Sequence, residues 1–381
     1  MSNPVYINTH NIISPLGITS EENFKTVLKG ISGVKLQHRT DIDDEPFYAS
    51  LIDEKLLQKV SASEINKDYT RFEILLIASV EQALKKTTID ISDEKTIIIF
   101  SSTKGNIELL ESQDVTPELT ERMSLFHSAK LVTEYFKNQN TPVVISNACI
   151  SGIAALLFAK RLLQSGAYDH AVVVGADTIS KFVFSGFKSF RALSAGKCKP
   201  FSADRDGINL GEAAATIILT TKKLTNNIQL IGGAISNDAN HISGPSKTGD
   251  ELSMAINKAL ADACILPDEI DFISAHGTAT LFNDEMEAKA FVTSGLNNIP
   301  VNSLKGNFGH TLGAAGLVES VISLMSLDNN VIIPTLGFTS PGVPVAINIC
   351  TQPIYKPLQS FLKTASGFGG CNGALVFSKV N

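Results

Sequence analysis

The sequence predicts a layered α/β protein made of two similar halves. Three observations carry this. An apolar β-type run, a polar turn with a reactive side chain and a helix rich in small residues follow one another at residues 143–164, and the same order recurs at 301–327. Each half then closes on two β-type runs, 170–175 with 213–220 and 361–366 with 373–379. Both small-residue helices are apolar on almost every side, so each is expected to be buried all round. Helices buried between parallel-type sheets call for stacked layers, two halves packed face to face, rather than a single doubly wound sheet. The halves are expected to be residues 1–224 and 225–381, with the junction near 222–227.

The elements follow in order. Residues 5–13 read as a strand, and Thr19 with Glu22 has capping-box spacing, opening a helix through about Lys29. Residues 68–86 form an amphipathic helix with Phe72, Leu75, Leu76, Ser79, Val80 and Ala83 on one face. Residues 96–100 are a buried strand ending in a Ser/Gly turn, and 124–138 are helical. The 143–145 strand leads to Cys149 and its helix, and strands at 170–174 and 213–220 flank a long loop-rich stretch. In the second half, 228–236 is a strand, 250–263 a helix before a proline turn, and 271–274 a strand ending in AHGTAT. Residues 300–303 end in LKGNFGH and enter the second small-residue helix, and 361–380 read as paired strands.

Composition narrows the function. A chain of 381 residues with 44% hydrophobic content can bury a large core. No charged low-complexity run is present, so extended disorder is not expected. A net charge of −6 argues against general nucleic-acid binding. No apolar run approaches a membrane-spanning length, and the N-terminus has no basic-then-apolar leader pattern, so neither a membrane span nor a signal peptide is expected. The five cysteines are scattered, without a C-x-x-C pair, which fits a reduced cytoplasmic protein with free thiols.

Candidate chemistry lies on Cys149, His276 in AHGTAT and His310 in LKGNFGHTLGAAG, each where a strand ends. Strand ends are where α/β sheets place ligand sites. A thiol at the head of a helix feels the partial positive charge of unpaired backbone N–H groups, worth roughly 0.3–2 kcal/mol. That field is expected to lower the thiol pKa by about one unit. A nucleophile with two imidazoles suits acyl transfer: the thiol takes an acyl group, and neutral imidazoles donate hydrogen bonds to an oxygen gaining charge. Cysteine and two histidines are also possible zinc ligands, but no H-E-x-x-H, C-x-x-C or i,i+4 histidine pair is present, so no metal is expected. His10, His38, His127, His170 and His241 lack comparable contexts. Glu319 would sit inside an apolar helix, where an unpaired carboxylate is costly, so a buried Lys305–Glu319 pair is expected.

Five segments together, SNACISG around Cys149, PFSADRDGINLGEAAA at 200–215, AHGTAT with NDEME, SLKGNFGHTLGAAGLVE and GFGGCN, resemble the elongating β-ketoacyl-acyl carrier protein synthases of fatty-acid and polyketide synthesis. The resemblance implies the thiolase fold, two pseudo-symmetric β-α-β-α-β-α-β-β halves in a five-layer α-β-α-β-α sandwich, usually a homodimer, with a heterodimer of related subunits as the other arrangement. By this resemblance Cys149 is the acylated nucleophile, His276 and His310 promote malonyl decarboxylation, and Lys305 with Glu319 is the supporting ion pair. Phe368 takes the gatekeeper position, and the backbone N–H groups of Cys149 and Phe368 form the oxyanion hole. Thr278, Thr280, Asp284, Glu287 and Asn372 match supporting positions. Neither a metal nor a redox cofactor is implied; the implied partner is an acyl carrier protein.

Departures from the family pattern are also visible. Residues 102–141 lack a segment that usually helps to form the acyl pocket and dimer contact; AHGTAT stands for AHGT[GS]T, and GFGGCN for GFGGTN. The stretch GKCKPFSADRDGINLGEAAA resembles the ketosynthases of bacterial aryl-polyene pigment clusters. A chain-length-factor-like partner subunit would lack the nucleophile that Cys149 supplies. A thiolase would carry a thiol just before the C-terminal glycine run, and an initiating synthase an Asn in the place of His310. An acidic carrier docking on an acidic chain needs a local basic patch; Lys181, Lys188, Arg191, Lys197, Lys199 and Arg205 are the candidates.

Overall fold

The computed structural model describes residues 3–61, 69–223, 228–239 and 244–380; the expected junction between the halves and His241 lie outside these. Ten strands build the main sheet: β1 (Tyr6–Ile13), β2 (Thr96–Ser101), β3 (Val143–Ile145), β4 (His170–Asp177), β5 (Ala213–Thr220), β6 (Ile228–Asn237), β7 (Phe272–Ser274), β8 (Val301–Asn302), β9 (Ser360–Gly367) and β10 (Cys371–Lys379). Their spatial order is β8-β7-β9-β10-β6-β1-β5-β4-β2-β3. Read outward from the centre, each half has its first strand innermost, then its fifth, fourth, second and third. In both halves the fourth, second and third strands are parallel, and the first and fifth are antiparallel to their neighbours. The internal repeat seen in the sequence is thus a repeat of topology.

The expectation of two separate sheets is corrected at one point. β1 and β6 pair at Tyr6 with Gln229, so the hydrogen-bonded ladder continues from one half to the other. The two half-sheets nevertheless fold over a shared middle layer, which holds the helices Ser151–Gln164 and Ala315–Asn329. One apolar core joins these helices to both half-sheets, with Ile153, Leu156, Leu317 and Val321 facing Ile99, Val173, Phe361 and Leu375. An outer layer with Arg71–Leu84 covers the first half-sheet, and an outer layer with Asp250–Ala263 and Leu281–Thr293 covers the second. The result is the five-layer α-β-α-β-α thiolase-type architecture.

Small residues in the middle layer are needed because the two helices touch through their backbones. A side chain begun at Gly152 would meet the Leu317 amide nitrogen at 2.9 Å, and one at Gly316 the Ile153 amide nitrogen at 2.8 Å.

Local readings differ from the structure in three places. Thr19 does cap the Ser20–Leu28 helix by accepting the Glu22 N–H, but the Glu22 carboxylate accepts the Ile18 N–H, so the reciprocal bond of a capping box is absent there. A full capping box occurs instead at Thr70 and Glu73, at the head of the Arg71–Leu84 helix. The loop-rich stretch after β4 contains a helix, Lys181–Ser189, capped by the Ser180 hydroxyl. Its polar and aromatic residues gave it no long apolar period. Among the described residues no helix is long and apolar enough to cross a membrane.

Candidate active site

The turn that carries Cys149 is built from the end of β3. Ala148 takes a left-handed conformation, φ 44°, which bends the chain sharply before Cys149. The Ser151 hydroxyl clamps the bend: it accepts the Asn147 N–H at 2.8 Å and donates to the Ala148 carbonyl at 2.6 Å. The helix begins two residues after Cys149, at Ser151. Its opening N–H groups are already engaged, Ile150 to the Asn147 carbonyl and Ser151 to the Ala148 carbonyl.

This geometry corrects the expected lowering of the thiol pKa. Burial dominates and pushes the Cys149 thiol up to about 12, aided by neighbouring Cys371 and Asp177 and opposed by Lys305 and the Phe368 N–H. The helix field is outweighed because Cys149 is 7% exposed and the first amides face carbonyls. The resting group is therefore a thiol. Its partner is close: His310 Nε2 lies 3.0 Å from Cys149 Sγ.

Both histidines come from the second half and both are buried. Their rings stand edge to face with centroids 5.1 Å apart. His310 is seated in backbone borrowed from the first half: its N–H donates to the Asn209 carbonyl at 2.7 Å, and its carbonyl accepts the Gly211 N–H at 3.0 Å. The preceding Gly309, at φ 68°, would place a Cβ 2.6 Å from the Leu210 carbonyl oxygen. The NLGEAA segment thus cradles the His310 loop. His276 is set by Glu287, whose carboxylate accepts the N–H groups of His276 and Gly277, each at 2.7 Å, and the Thr364 hydroxyl at 2.7 Å.

The Lys305–Glu319 pair forms as expected, fully buried. Sequence reasoning missed its third member. Lys363 is also fully buried and lies 2.6 Å from the other Glu319 oxygen. Burial and these two lysines hold both imidazoles well below the usual histidine range; at His276 the neighbouring His310 adds to the effect. The rings are neutral near neutral pH.

Other predicted residues fall nearby. Thr278 and Thr280 share a 2.8 Å hydroxyl bond on the cavity wall. Asp284 accepts the Phe201 N–H at 2.7 Å and the Ala279 N–H at 3.2 Å, and burial raises its carboxyl to about 7. Asn372 accepts the Ser366 hydroxyl at 2.7 Å and donates to the Gly370 carbonyl at 3.2 Å, fixing the glycine turn that carries Phe368. Phe368, 37% exposed, packs its ring against Phe187 and Phe190 at 5.6 and 5.3 Å. Thr278, Thr280, Phe368 and Asn372 line one cavity of about 590 Å³ that also reaches Cys149, His276 and His310; Asp284 lies behind its wall. Sequence reasoning also missed Asp177 at the end of β4. Its carboxylate gathers the Ser102 hydroxyl, the Thr103 and Lys104 N–H groups and, at 2.6 Å, the Gly313 N–H, tying the two halves beside the site.

The docking patch is corrected at Arg205. Its guanidinium is buried, 3.5 Å from Glu285 and 3.8 Å from Asp284, and donates to the carbonyls of Ser202 and Leu281 at 2.9 and 3.0 Å. It braces the cavity wall and offers no charge to a partner. Lys188 is neutralised by Asp43 at 2.7 Å, and Lys199 by Asp204. Arg191 is exposed at the cavity mouth, without an ion-pair partner among the described residues.

The donor atoms of Cys149, His276 and His310 lie within 4.8 Å of one another, a spacing that admits a metal ion. The surroundings disfavour one. Metal-bound imidazoles ordinarily donate their second N–H to a carboxylate or carbonyl; here Nδ1 of both rings is buried without a partner. Two ammonium groups behind the rings add positive charge where a cation would bring more.

A thiol hydrogen-bonded to one neutral imidazole, beside a second imidazole in the same cavity, on a thiolase-type fold, defines the class: acyltransferases that condense thioesters. Residues 2–224 match the family described as "Beta-ketoacyl synthase, N-terminal domain", and residues 229–339 match "Beta-ketoacyl synthase, C-terminal domain". The chain belongs to the β-ketoacyl synthase family. It is 27% identical to the 3-oxoacyl-[acyl-carrier-protein] synthase 2 of Vibrio cholerae, covering 99% of each chain, and 27% identical to that of Staphylococcus aureus, covering 98% of each. Among solved structures, a β-ketoacyl synthase from Burkholderia phymatum superposes with a TM-score of 0.90 at 24% identity over the full length of both chains. A chain of the complex of the ketosynthase ApeO with its chain length factor ApeC from Xenorhabdus doucetiae superposes with a TM-score of 0.84 at 27% identity over 99% of this chain and 98% of that one.

Proposed function

We propose that the protein elongates an acyl chain on Cys149 by decarboxylative condensation with a malonyl group, both delivered as thioesters of an acyl carrier protein. The observation that carries this is the 3.0 Å contact between Cys149 Sγ and His310 Nε2, with the His276 ring edge-on beside it in the same cavity. In the first half-reaction His310 takes the thiol proton as Cys149 sulfur attacks the acyl thioester. The carrier thiol leaves with a proton returned by the imidazole. A thiol held at about 12 reacts only through such a coupled transfer, which keeps the resting site inert.

In the second half-reaction malonyl-carrier protein occupies the emptied cavity. Its carboxylate departs as carbon dioxide, and the electron pair forms an enolate whose oxygen is held by the N–H groups of His276 and His310. The enolate carbon attacks the acyl-Cys149 carbonyl, whose oxygen is received by the N–H groups of Cys149 and Phe368, and the Cys149 sulfur leaves, taking up one proton from solvent to return to the resting thiol. Fixed donors aimed at developing charge are usually the largest single contribution to such a rate. Lys305, Glu319, Thr278, Thr280, Asp284, Glu287 and Asn372 hold these groups in place.

The reading includes a nucleophile half, residues 1–224, and a histidine half, residues 225–381, neither holding all three side chains alone. It also includes a cytoplasmic location, and a dimer, either of two copies or with a related subunit as in the ApeO–ApeC complex. An aryl-polyene pathway is the finer assignment that the 196–215 motif favours. Intact-protein mass spectrometry after incubation with a panel of acyl-carrier proteins tests the reading. The expected result is one acyl adduct, absent in Cys149→Ala, that disappears on adding malonyl-carrier protein as a chain two carbons longer forms. An adduct that persists in Cys149→Ala would overturn it.

A further inference from the structure

The buried charge behind the histidines is larger than the family-type pair requires. Lys363 lies on β9, opposite Ser274 on β7. Its ammonium donates to the Ser274 carbonyl at 3.0 Å and the Ala275 carbonyl at 3.2 Å, and lies 2.6 Å from Glu319 Oε2 as an ion pair. Ser274 and Ala275 are the residues immediately before His276. Glu319 gives its second oxygen to Lys305, which opens the short Lys305–Phe308 helix leading to His310. The chain of contacts therefore runs from the His276 turn through Lys363, Glu319 and Lys305 to the His310 segment. An ammonium held out of water against one carboxylate and two carbonyls is an expensive arrangement. The cost points to a use.

Resting on the condensation read above, we infer that Lys363 is a second cationic positioning residue, which locks the strand carrying His276 to the ion pair beneath His310 and keeps both rings unprotonated during condensation. The reason is chemical. A neutral imidazole donates a hydrogen bond to the enolate oxygen but does not readily give up its N–H proton. An imidazolium does. Its proton would pass to the enolate carbon, so that malonyl thioester plus one proton ends as acetyl thioester and carbon dioxide with no carbon–carbon bond formed. A positive charge fixed behind both rings opposes that imidazolium.

The charged and titratable groups around the rings are consistent with this account. His276 faces Lys363, Lys305 and His310; His310 faces Lys305, Lys363 and the Cys149 thiol. The nearby carboxylates are Glu319, held between the lysines, Glu287, held by the His276 and Gly277 N–H groups, and Asp177, held by the Ser102 turn and the Gly313 N–H. Burial and the lysines depress both imidazoles; burial also raises the Glu287 carboxyl, opposed by its hydrogen bonds and by Lys363, and lowers Lys363, opposed by Glu319.

The test follows three quantities against pH in wild type, Lys363→Met and Lys363→Gln: acyl loading of Cys149, carbon dioxide release from malonyl-carrier protein, and the ratio of acetyl-carrier protein to elongated product. Lys305 still pairs with Glu319 in both variants, and Lys363→Gln keeps polar contacts to the carbonyls, so it carries the test if Lys363→Met is insoluble. Losing the charge is expected to move the acid limb of condensation up by about one pH unit and raise the acetyl-to-elongated ratio several-fold below neutrality. Both variants should shift alike, and Lys363→Arg should restore the wild-type limb. An acid limb and product ratio unchanged in Lys363→Gln would overturn the inference while leaving the condensation intact; wild-type protein that neither loads nor releases carbon dioxide would instead overturn the condensation itself.

Discussion

The two halves share one topology and use equivalent strand ends in opposite ways. The end of β3 presents Cys149 on a bend fixed by Ala148 and the Ser151 hydroxyl, with no ionised group among its direct partners. The end of β8, its counterpart, carries Lys305 and, five residues on, His310, above a helix with Glu319 buried in it. The end of β2 bears Ser102 and Thr103, gathered by Asp177; the end of β7 bears His276, gathered by Glu287. In the proposed reading one half supplies the nucleophile by backbone geometry, and the other supplies its electrostatic setting through buried charge. The shared topology fixes where side chains emerge, and the residues at those positions differ between the halves.

Removing the reacting side chain of either half should cost most. Cys149→Ala removes loading below detection. His276→Ala is expected to keep loading but lose about 10²–10³ in decarboxylation rate, the cost of one donor to a developing oxyanion, read as carbon dioxide release. Equal loss of both steps would show that the division between the halves is wrong.

Glu319→Gln tests the charge itself. It leaves Lys305 and Lys363 facing each other without a counterion, and breaking a buried pair costs about 3–5 kcal/mol. Denaturant melts at pH 7 are expected to show that loss in Glu319→Gln.

A smaller effect separates the halves by pH. Burial raises Asp284 to about 7, above the ordinary aspartate value it regains on unfolding. The folded state therefore binds the extra proton between about pH 4 and pH 7, so this group's contribution to stability is full below that window and falls as pH rises through it. Asp284→Asn should flatten this fall in melts between pH 4.5 and 7.5. A slope identical to wild type would show that Asp284 is already ionised in the folded protein.

Smallest is the surface effect. Arg191→Glu is expected to weaken carrier-protein binding several-fold at low salt, with the difference fading at high salt. Lys199→Glu changes binding less, because Asp204 already holds that lysine. Equal effects would restore the broader basic patch.

Much of this was legible in the sequence. Strand and helix order followed from periodicity and small-residue runs, and β3, β5 and the Asp250–Ala263 helix fall where the pattern put them. The two histidines and Cys149 stood out because each follows a strand in a polar turn. The Lys305–Glu319 pair followed from one carboxylate in an apolar helix. What stayed hidden has a common cause. Lys363 reads as an ordinary polar residue in a strand, Asp177 as an ordinary strand end, and Arg205 as one more surface cation.

The sequence by itself determined the repeat, the stacking in layers and the candidate reacting groups, because period and local turn chemistry are written in neighbouring residues; the order of the layers came from the family resemblance. Tertiary structure alone decided the charge state of the site. Lys363 meets Glu319, and Asp177 meets Gly313, across long chain separations, and the cost of burying an ion depends on what surrounds it in space. The same holds for Cys149, where removal from water overrides the helix field that local sequence promised.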